Sequence, residues 1–485
     1  MSADAGAPLS PGMRSIEGHS IDFIPDAERH GKPRNLFFIW WSSNMQMTTA
    51  LTGVIAAALG LTFLWALIAI VVGILIGGIV MCLHSWQGAR LGLPQLQQSR
   101  GQFGLLGAIA PAIVAIFMYV GFFATSNVLG GQAINAAIPQ IPLFVGIIVC
   151  AAATLVLAVF GYDSIHTWAR RWGYLFFVAF LALSVSLFAR GLVPAKTWTL
   201  GPLDPGPFIL MLSLAAVWII SYAVYASDYS RYLPKEASAK SAFWYSYAGA
   251  VIASCWLLAL GALLGDILPK AIDNLVGATL TLVGPLAIPL MIVIALGVIY
   301  VDALNVYGAS LCLLTITEQR RKLLGIGRSS RIGIITVISI VAAVIGIIGS
   351  SAFLTNYTNF LSFLFYLIMP WSAVNLVDFY LIRHGEYRPT WFSDPSGPYG
   401  GVAWSALLAY LIGIACEIPF MSTSIYEGPV AHLWNGGDIS WIVGLVMGGA
   451  IYFVCAKLGL VPVPPSGSGS NPKPPGAVGL GTAGD

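Results

Sequence analysis

The chain has 485 residues, 58% of them hydrophobic and only 9% charged, against about 25% charged in a typical soluble domain. So little polar surface cannot coat a globule in water, which excludes a soluble enzyme, and a chain of this length has room for about a dozen spans of ~20 residues. The net charge of +3 gives no reason to expect a nucleic-acid partner.

Residues 1–35 are polar and hold no apolar run, so they read as a cytoplasmic N-terminal segment without a cleaved signal, and the first span serves as its own insertion signal. Apolar windows, cut at charges and at Pro and Gly clusters, predict an all-α membrane protein of twelve transmembrane helices. Their limits are 36–62, 64–83, 106–136, 142–162, 173–190, 208–227, 243–265, 284–314, 332–350, 358–382, 402–420 and 439–458. Twenty of the 23 Lys and Arg then fall on one side, Arg190, Lys196 and Lys270 being the exceptions. Positive residues collect in cytoplasmic loops, so both termini are expected in the cytoplasm and the protein in the plasma (inner) membrane. Residues 459–485, rich in Pro, Ser and Gly, read as a disordered tail.

A polar side chain inside a span costs free energy, roughly 2.5 to 3.5 kcal/mol for a charge at the helix centre, which makes each one a functional candidate. The first span opens Trp40-Trp-Ser42-Ser43-Asn44-Met-Gln46. Polar atoms there either satisfy a locally unwound backbone lining a midplane site or sit at the interface. In the third span Tyr119, Phe123, Ser126 and Asn127 follow helical spacing. Phe123 and Asn127 pair a ring with an amide one turn on, a stacking plate with a donor and acceptor for the edge of a flat heterocycle; the alternative is that Asn127 bonds a neighbouring helix.

The sixth span carries Trp218, Ser221, Tyr222 and Tyr225 and runs into a charged end with Asp228 and Arg231, a structural pair or a gate. The eighth holds Asp302 and Asn305, three residues apart and on one face. Asp302, the deepest acid, suits reversible protonation, or else it ties helices together. Six isolated cysteines without CxxC spacing and six histidines in loops or at span ends indicate neither disulfide nor metal site. Nucleotide-binding loops and hydrolase motifs are missing, so no cofactor is expected and a carrier is favoured over a passive channel.

Ile16-Glu-Gly-His-Ser-Ile-Asp-Phe-Ile-Pro25, Glu28-Arg-His-Gly-Lys-Pro33, the Ser42-Ser-Asn44 cluster, Tyr225-Ala-Ser-Asp-Tyr-Ser-Arg-Tyr-Leu-Pro234 and Leu304-Asn-Val-Tyr-Gly308 resemble the purine-cytosine permease branch of the nucleobase:cation symporter-1 family, over about residues 16–458. The resemblance implies a transport core of two inverted five-helix halves at 36–382, two further helices at 383–458, and interruptions in helices one and six. It implies a base held between helices one, three, six and eight by Ser42 or Ser43, Phe123, Asn127, an aromatic of the sixth helix whose position Trp218 and Tyr222 flank, and Asn305; Asn44 and Ser221 join them as candidates on their place in the polar stripes of the first and sixth spans. Many relatives have Trp where Phe123 stands. Sodium-coupled members present hydroxyl oxygens from early helix eight, yet Gly284 to Ala309 contains no Ser or Thr. Proton coupling through Asp302 is therefore the expectation, with cytosine or a purine as substrate. The alternatives are allantoin, hydantoin, uracil, thiamine or pyridoxine, with sodium as the other ion; oligomeric state stays open.

Overall fold

A computed structural model of the chain describes residues 23–29, 31–160, 162–324, 328–388, 391–392 and 397–462. The first motif of the resemblance lies outside the described residues but for its last three positions, and the proline-rich tail but for residues 459–462.

The first span consists of α1 (Arg34–Asn44) and α2 (Met47–Ala58), separated at Met45 and Gln46. Next come α3 (Phe63–Leu91), the polar helix α4 (Gln95–Gly107), α5 (Ile109–Ala137), α6 (Leu143–Phe160) and α7 (Tyr162–Ala189). The sixth span is α8 (Pro205–Ile220), a tighter 3-10 stretch Ser221–Tyr225 and α9 (Ala226–Ser230). After it run α10 (Ala239–Ile267), the short α11 (Leu275–Val283), α12 (Ala287–Leu324), α13 (Arg328–Gly349) and α14 (Phe353–Val377). The last three helices are α15 (Trp404–Glu417), the surface turn α16 (Pro429–Leu433) and α17 (Ser440–Lys457). Among the described residues seven stretches are long and apolar enough to cross a membrane, and one of them, Ile332–Ile382, takes in most of α13 and all of α14. With α2, α6, α7 and α15, shorter apolar helices, the described residues account for the twelve spans that hydropathy predicts.

One order of elements occurs twice: a broken span, a span, a short helix, then three spans. It runs from α1 to α7 and again from α8 to α14. Five passes return the chain on the opposite face, so the second set is inverted relative to the first, as in transporters built from inverted repeats. Helices α1, α2, α3, α8 and α10 pack as one group, and α5, α6, α12 and α13 as another, while α14, α15 and α17 lie together.

Small residues set these approaches. A Cβ on Gly73 or Gly77 of α3 would overlap the α8 backbone at Leu212 and Ala216, and one on Gly261 of α10 would overlap the α2 backbone at Ala50. The GxxxG spacings at Gly73/Gly77, Gly261/Gly265 and Gly444/Gly448 thus face neighbours within the chain, the last against Pro370.

Candidate functional site

Unwinding a span leaves backbone groups that lipid cannot satisfy, so they need partners within the protein. At the break in the first span the side chains just before and after it supply them. Asn44 Nδ2 donates to the Trp40 carbonyl at 2.8 Å, Gln46 Nε2 to the Ser43 carbonyl at 2.8 Å, and Thr49 Oγ1 to the Asn44 carbonyl at 2.7 Å. Asn44 Oδ1, fully buried, accepts three further bonds: Trp218 Nε1 at 2.9 Å, the Tyr222 hydroxyl at 3.1 Å and Ser254 Oγ at 2.7 Å. One amide therefore clasps α1, the sixth span and α10. Ser221 Oγ donates within its own turn to the Trp218 carbonyl at 2.7 Å. The hydroxyls of Ser42 and Ser43 both turn back to the Ile39 carbonyl, at 3.0 and 2.8 Å.

Aromatic rings close around this point. Toward the face that bears Arg34, Trp40 lies against Tyr222, Tyr225 and Tyr229 at 5.5 to 6.0 Å between ring centroids, and Tyr119 of α5 stacks on Tyr225 at 5.8 Å. Deeper in, Phe122 of α5 stands edge-on to Trp218 at 5.7 Å and to Phe360 of α14 at 5.2 Å. The stripe of α5 that faces the two breaks is thus Tyr119, Phe122 and Ser126. Phe123, one residue on, is fully buried on another side of the helix, in the apolar cluster of Ala303, Val306, Ile335 and Ala342. Asn127, fully buried as well, has neither amide atom hydrogen-bonded.

The eighth span brings its polar pair to α5. Asp302 Oδ1 accepts from Ser126 Oγ, and Asn305 Nδ2 approaches the same oxygen at 3.4 Å. Asp302 is fully buried and its Oδ2 has no partner. Nearby, a cavity of about 10 Å³ is lined by Gln46, Met47 and Thr48 at the first break, Ser126 of α5, Phe176 of α7, and Ile294, Gly297, Val298 and Val301 of α12. That is room for about one water-sized body. The α12 residues lining it offer no side-chain oxygen, in keeping with the Ser- and Thr-free stretch in the sequence.

Asp228 and Arg231 sit away from this point, at the end of the sixth span. Asp228 Oδ1 accepts the Gln95 backbone N–H at 2.8 Å, and the Arg231 guanidinium lies 5.1 Å from the Tyr232 ring centroid. Beside them runs a chain of buried amides that composition and spacing did not single out. Ser227 Oγ donates to Gln95 Oε1 at 2.6 Å, Gln95 Nε2 to Gln87 Oε1 at 3.0 Å, and Gln87 Nε2 to Asn375 Oδ1 at 2.8 Å. It links the end of the sixth span to α4, α3 and α14. The signal that would have revealed it is the cluster of glutamines at 87, 95, 97 and 98 beside spans otherwise nearly free of amides.

Among the expected residues, Asn44, Trp218 and Tyr222 meet directly, and Asp302 meets both Asn305 and Ser126. Phe123 and Asn127 lie on α5 beside these groups but not in their hydrogen-bond or ring contacts. Phe122, Phe360 and the amide chain were not anticipated. Among the described residues no cluster of three His, Cys, Asp or Glu could hold a metal ion.

Residues 23–444 match the family described as permease for cytosine/purines, uracil, thiamine, allantoin. The chain is 40% identical over 442 residues to the putative purine-cytosine permease YxlA of Bacillus subtilis, covering 91% of this chain and 96% of that one. It is 24% identical to the purine-cytosine permease fcyB of Emericella nidulans, covering 91% and 88%. Among solved structures it resembles Mhp1, a nucleobase-cation-symport-1 family transporter. The TM-score is 0.72 for the closed conformation with bromovinylhydantoin bound and 0.73 for the inward-facing one, at 18% identity, covering 91% or 92% of this chain and 95% of Mhp1. These relatives are transporters and not enzymes. The chain belongs to the nucleobase:cation symporter-1 family, in its purine-cytosine permease branch.

Proposed function

We propose that this permease imports cytosine or a purine together with a proton, by alternating access around the two helix breaks. The observation that carries the proposal is the meeting of Ser126 and Asp302 beside the break in the first span, which puts a titratable carboxyl at the point where a coupling ion has to act. The base is assigned to the space between Phe122, Trp218 and Phe360, where Phe122 stands edge-on to each of the other two rings and the rings separate to admit a flat heterocycle. Its edge is read by the amides of Asn127, Asn305 and Gln46. Asn127 supports this role because an amide buried without any hydrogen bond is unfavourable unless a ligand completes it. Asn44 orients Trp218 and Tyr222 and leaves their rings, not their polar atoms, to the substrate.

Proton coupling is favoured over sodium because a hard cation needs several oxygen ligands, and α12 supplies none from its side chains at the cavity. In the proposed orientation both termini are cytoplasmic, and the amide chain from Ser227 to Asn375, with Asp228 and Arg231, closes the cytoplasmic face.

The test is uptake of labelled cytosine by cells lacking their own nucleobase carriers, at two pH values, with and without sodium, against unlabelled purines, uracil, allantoin and vitamins. Accumulation that requires acid outside, ignores sodium and yields to purines supports the proposal. Strict sodium dependence overturns the coupling ion, competition by allantoin or a vitamin alone moves the substrate, and uptake that never exceeds the external concentration indicates a passive channel.

A further inference from the structure

The hydroxyl of Ser126 has one proton and more than one acceptor. Its Oγ lies 2.8 Å from the Phe122 carbonyl and 3.3 Å from the Phe123 carbonyl, while it also bonds Asp302 Oδ1. An ionised carboxylate only accepts, so beside it the Ser126 proton points at Asp302. A protonated carboxyl is itself a donor. With Asp302 carrying its proton toward Ser126, the serine proton turns to the backbone carbonyl of Phe122. With the proton on the oxygen facing Ser126, the two protonation states of Asp302 use opposite donor directions there.

Ser126 is also the one partner of Asp302 that lines the cavity at the break in the first span, together with Gln46, Met47 and Thr48. Asn305, the other partner, lies on Asp302's own helix. The groups around the acid leave few competing routes. Cys150 of α6 is the titratable side chain that interacts with it, and the α13 residues packed on this part of α12, Ile335, Ile338 and Ala342, are apolar. Among the described residues no basic side chain pairs with Asp302. From α5 the facing group is Ser126 itself.

We propose that Ser126 is the positioning residue that transmits the protonation state of Asp302 to the first-span break and to the turn carrying Phe122. The proposal rests on Asp302 being the proton-coupling group, and it adds the path by which the proton is felt at the substrate. When Asp302 is ionised, the serine proton points at it and both lone pairs of the Ser126 oxygen stay free for the cavity edge facing Gln46; when it is protonated toward Ser126, that oxygen accepts the carboxyl proton, the serine proton returns to the Phe122 turn, and the cavity edge has one acceptor lone pair fewer.

The experiment is the pH profile of uptake in carrier-deficient cells, using labelled cytosine or whichever base the wild type accumulates, for the wild type, Asp302→Asn, Ser126→Ala, Ser126→Cys and Ser126→Thr. Correct folding is checked by gel filtration in detergent. Removing a donor to the carboxylate disfavours the ionised form. Ser126→Ala is therefore expected to move the half-point of the fall in uptake by about one pH unit toward alkaline values and to raise KM. Ser126→Thr, which keeps the hydroxyl, restores the wild-type profile, and Ser126→Cys, a weak donor, falls between. A wild-type profile for Ser126→Ala or Ser126→Cys alongside a pH-independent Asp302→Asn overturns the role of Ser126 and leaves Asp302 in place. A Thr variant displaced as far as the Ala variant also overturns it, because size and not the hydroxyl is then at work. Wild-type pH dependence in Asp302→Asn removes the coupling role of Asp302 itself, a separate failure. Where Ser126→Ala does not fold, Ser126→Cys decides.

Discussion

The indole N–H of Trp218 donates to Asn44 Oδ1 at 2.9 Å, and that bond joins the break in the first span to the sixth span just before its own. The same oxygen takes the hydroxyls of Tyr222 and Ser254. Two half-helices from inverted repeats are thereby held in one register. A side chain that accepts three buried donors is difficult to replace.

Asn44→Ala leaves those three donors buried with no acceptor, at about 1–3 kcal/mol each. The thermal midpoint of the purified protein in detergent is expected to fall by several degrees, with transport lost. Asn44→Asp keeps the acceptor and loses only the bond to the Trp40 carbonyl, so its midpoint falls less. An unchanged midpoint for the alanine variant would contradict the clasp.

Variants of Phe122 and Phe123 are expected to separate binding from packing. Phe122 meets Trp218 and Phe360, and base stacking on a ring is worth about 1–3 kcal/mol. Phe122→Ala is therefore expected to weaken cytosine binding by about tenfold or more with little change in melting. Phe123→Ala opens a void against Ala303 and Val306 and acts chiefly on the melting temperature. Binding by titration calorimetry together with a melt of each variant checks both, and the reverse pattern would return the plate to Phe123.

Asn127→Ala removes an amide that has no bond to lose in the unliganded protein. The melting midpoint is expected to stay level or rise while substrate affinity disappears. A fall in stability with affinity intact would make Asn127 a structural amide and take it out of the site.

Much of this was legible in the sequence because lipid imposes a strict rule. Every span must be a long apolar helix, and twelve of them follow from hydropathy. The break after Asn44 is legible for the same reason, since Ser42, Ser43, Asn44 and Gln46 crowd a place where polar atoms have no use except to satisfy backbone. Helices α4 and α11 were read as connections because neither has a span's length of apolar residues, and their equivalent places in the two repeats appear only in three dimensions. The facing stripe of α5 was not legible either. Tyr119, Phe122 and Ser126 follow helical spacing as well as Phe123 and Asn127 do, and periodicity does not say which of two polar-aromatic stripes faces inward until the neighbouring helices are in place. The amide chain joins residues 87, 95, 227 and 375, a separation no local pattern reports.

Gln95 sits in the middle of that chain, bonded to Ser227, to Gln87 and, through its backbone N–H, to Asp228. Gln95→Leu removes the side-chain links and is expected to favour opening of the face that bears α4. Cys312, buried with 5% of its surface exposed and close to Tyr119 and Asp228, reports on it. Mass-spectrometric mapping of N-ethylmaleimide on Cys312 is expected to show alkylation several-fold faster in the variant. An unchanged rate in folded protein would mean that the amides do not hold that face shut.

The most direct measurement uses proteoliposomes holding the purified protein and an internal pH dye, with no sodium present. Adding cytosine or adenine outside is expected to acidify the interior, and Asp302→Asn is expected to abolish the signal while still binding the base. Uptake of the base without acidification, or only when sodium is supplied, would contradict coupling through Asp302.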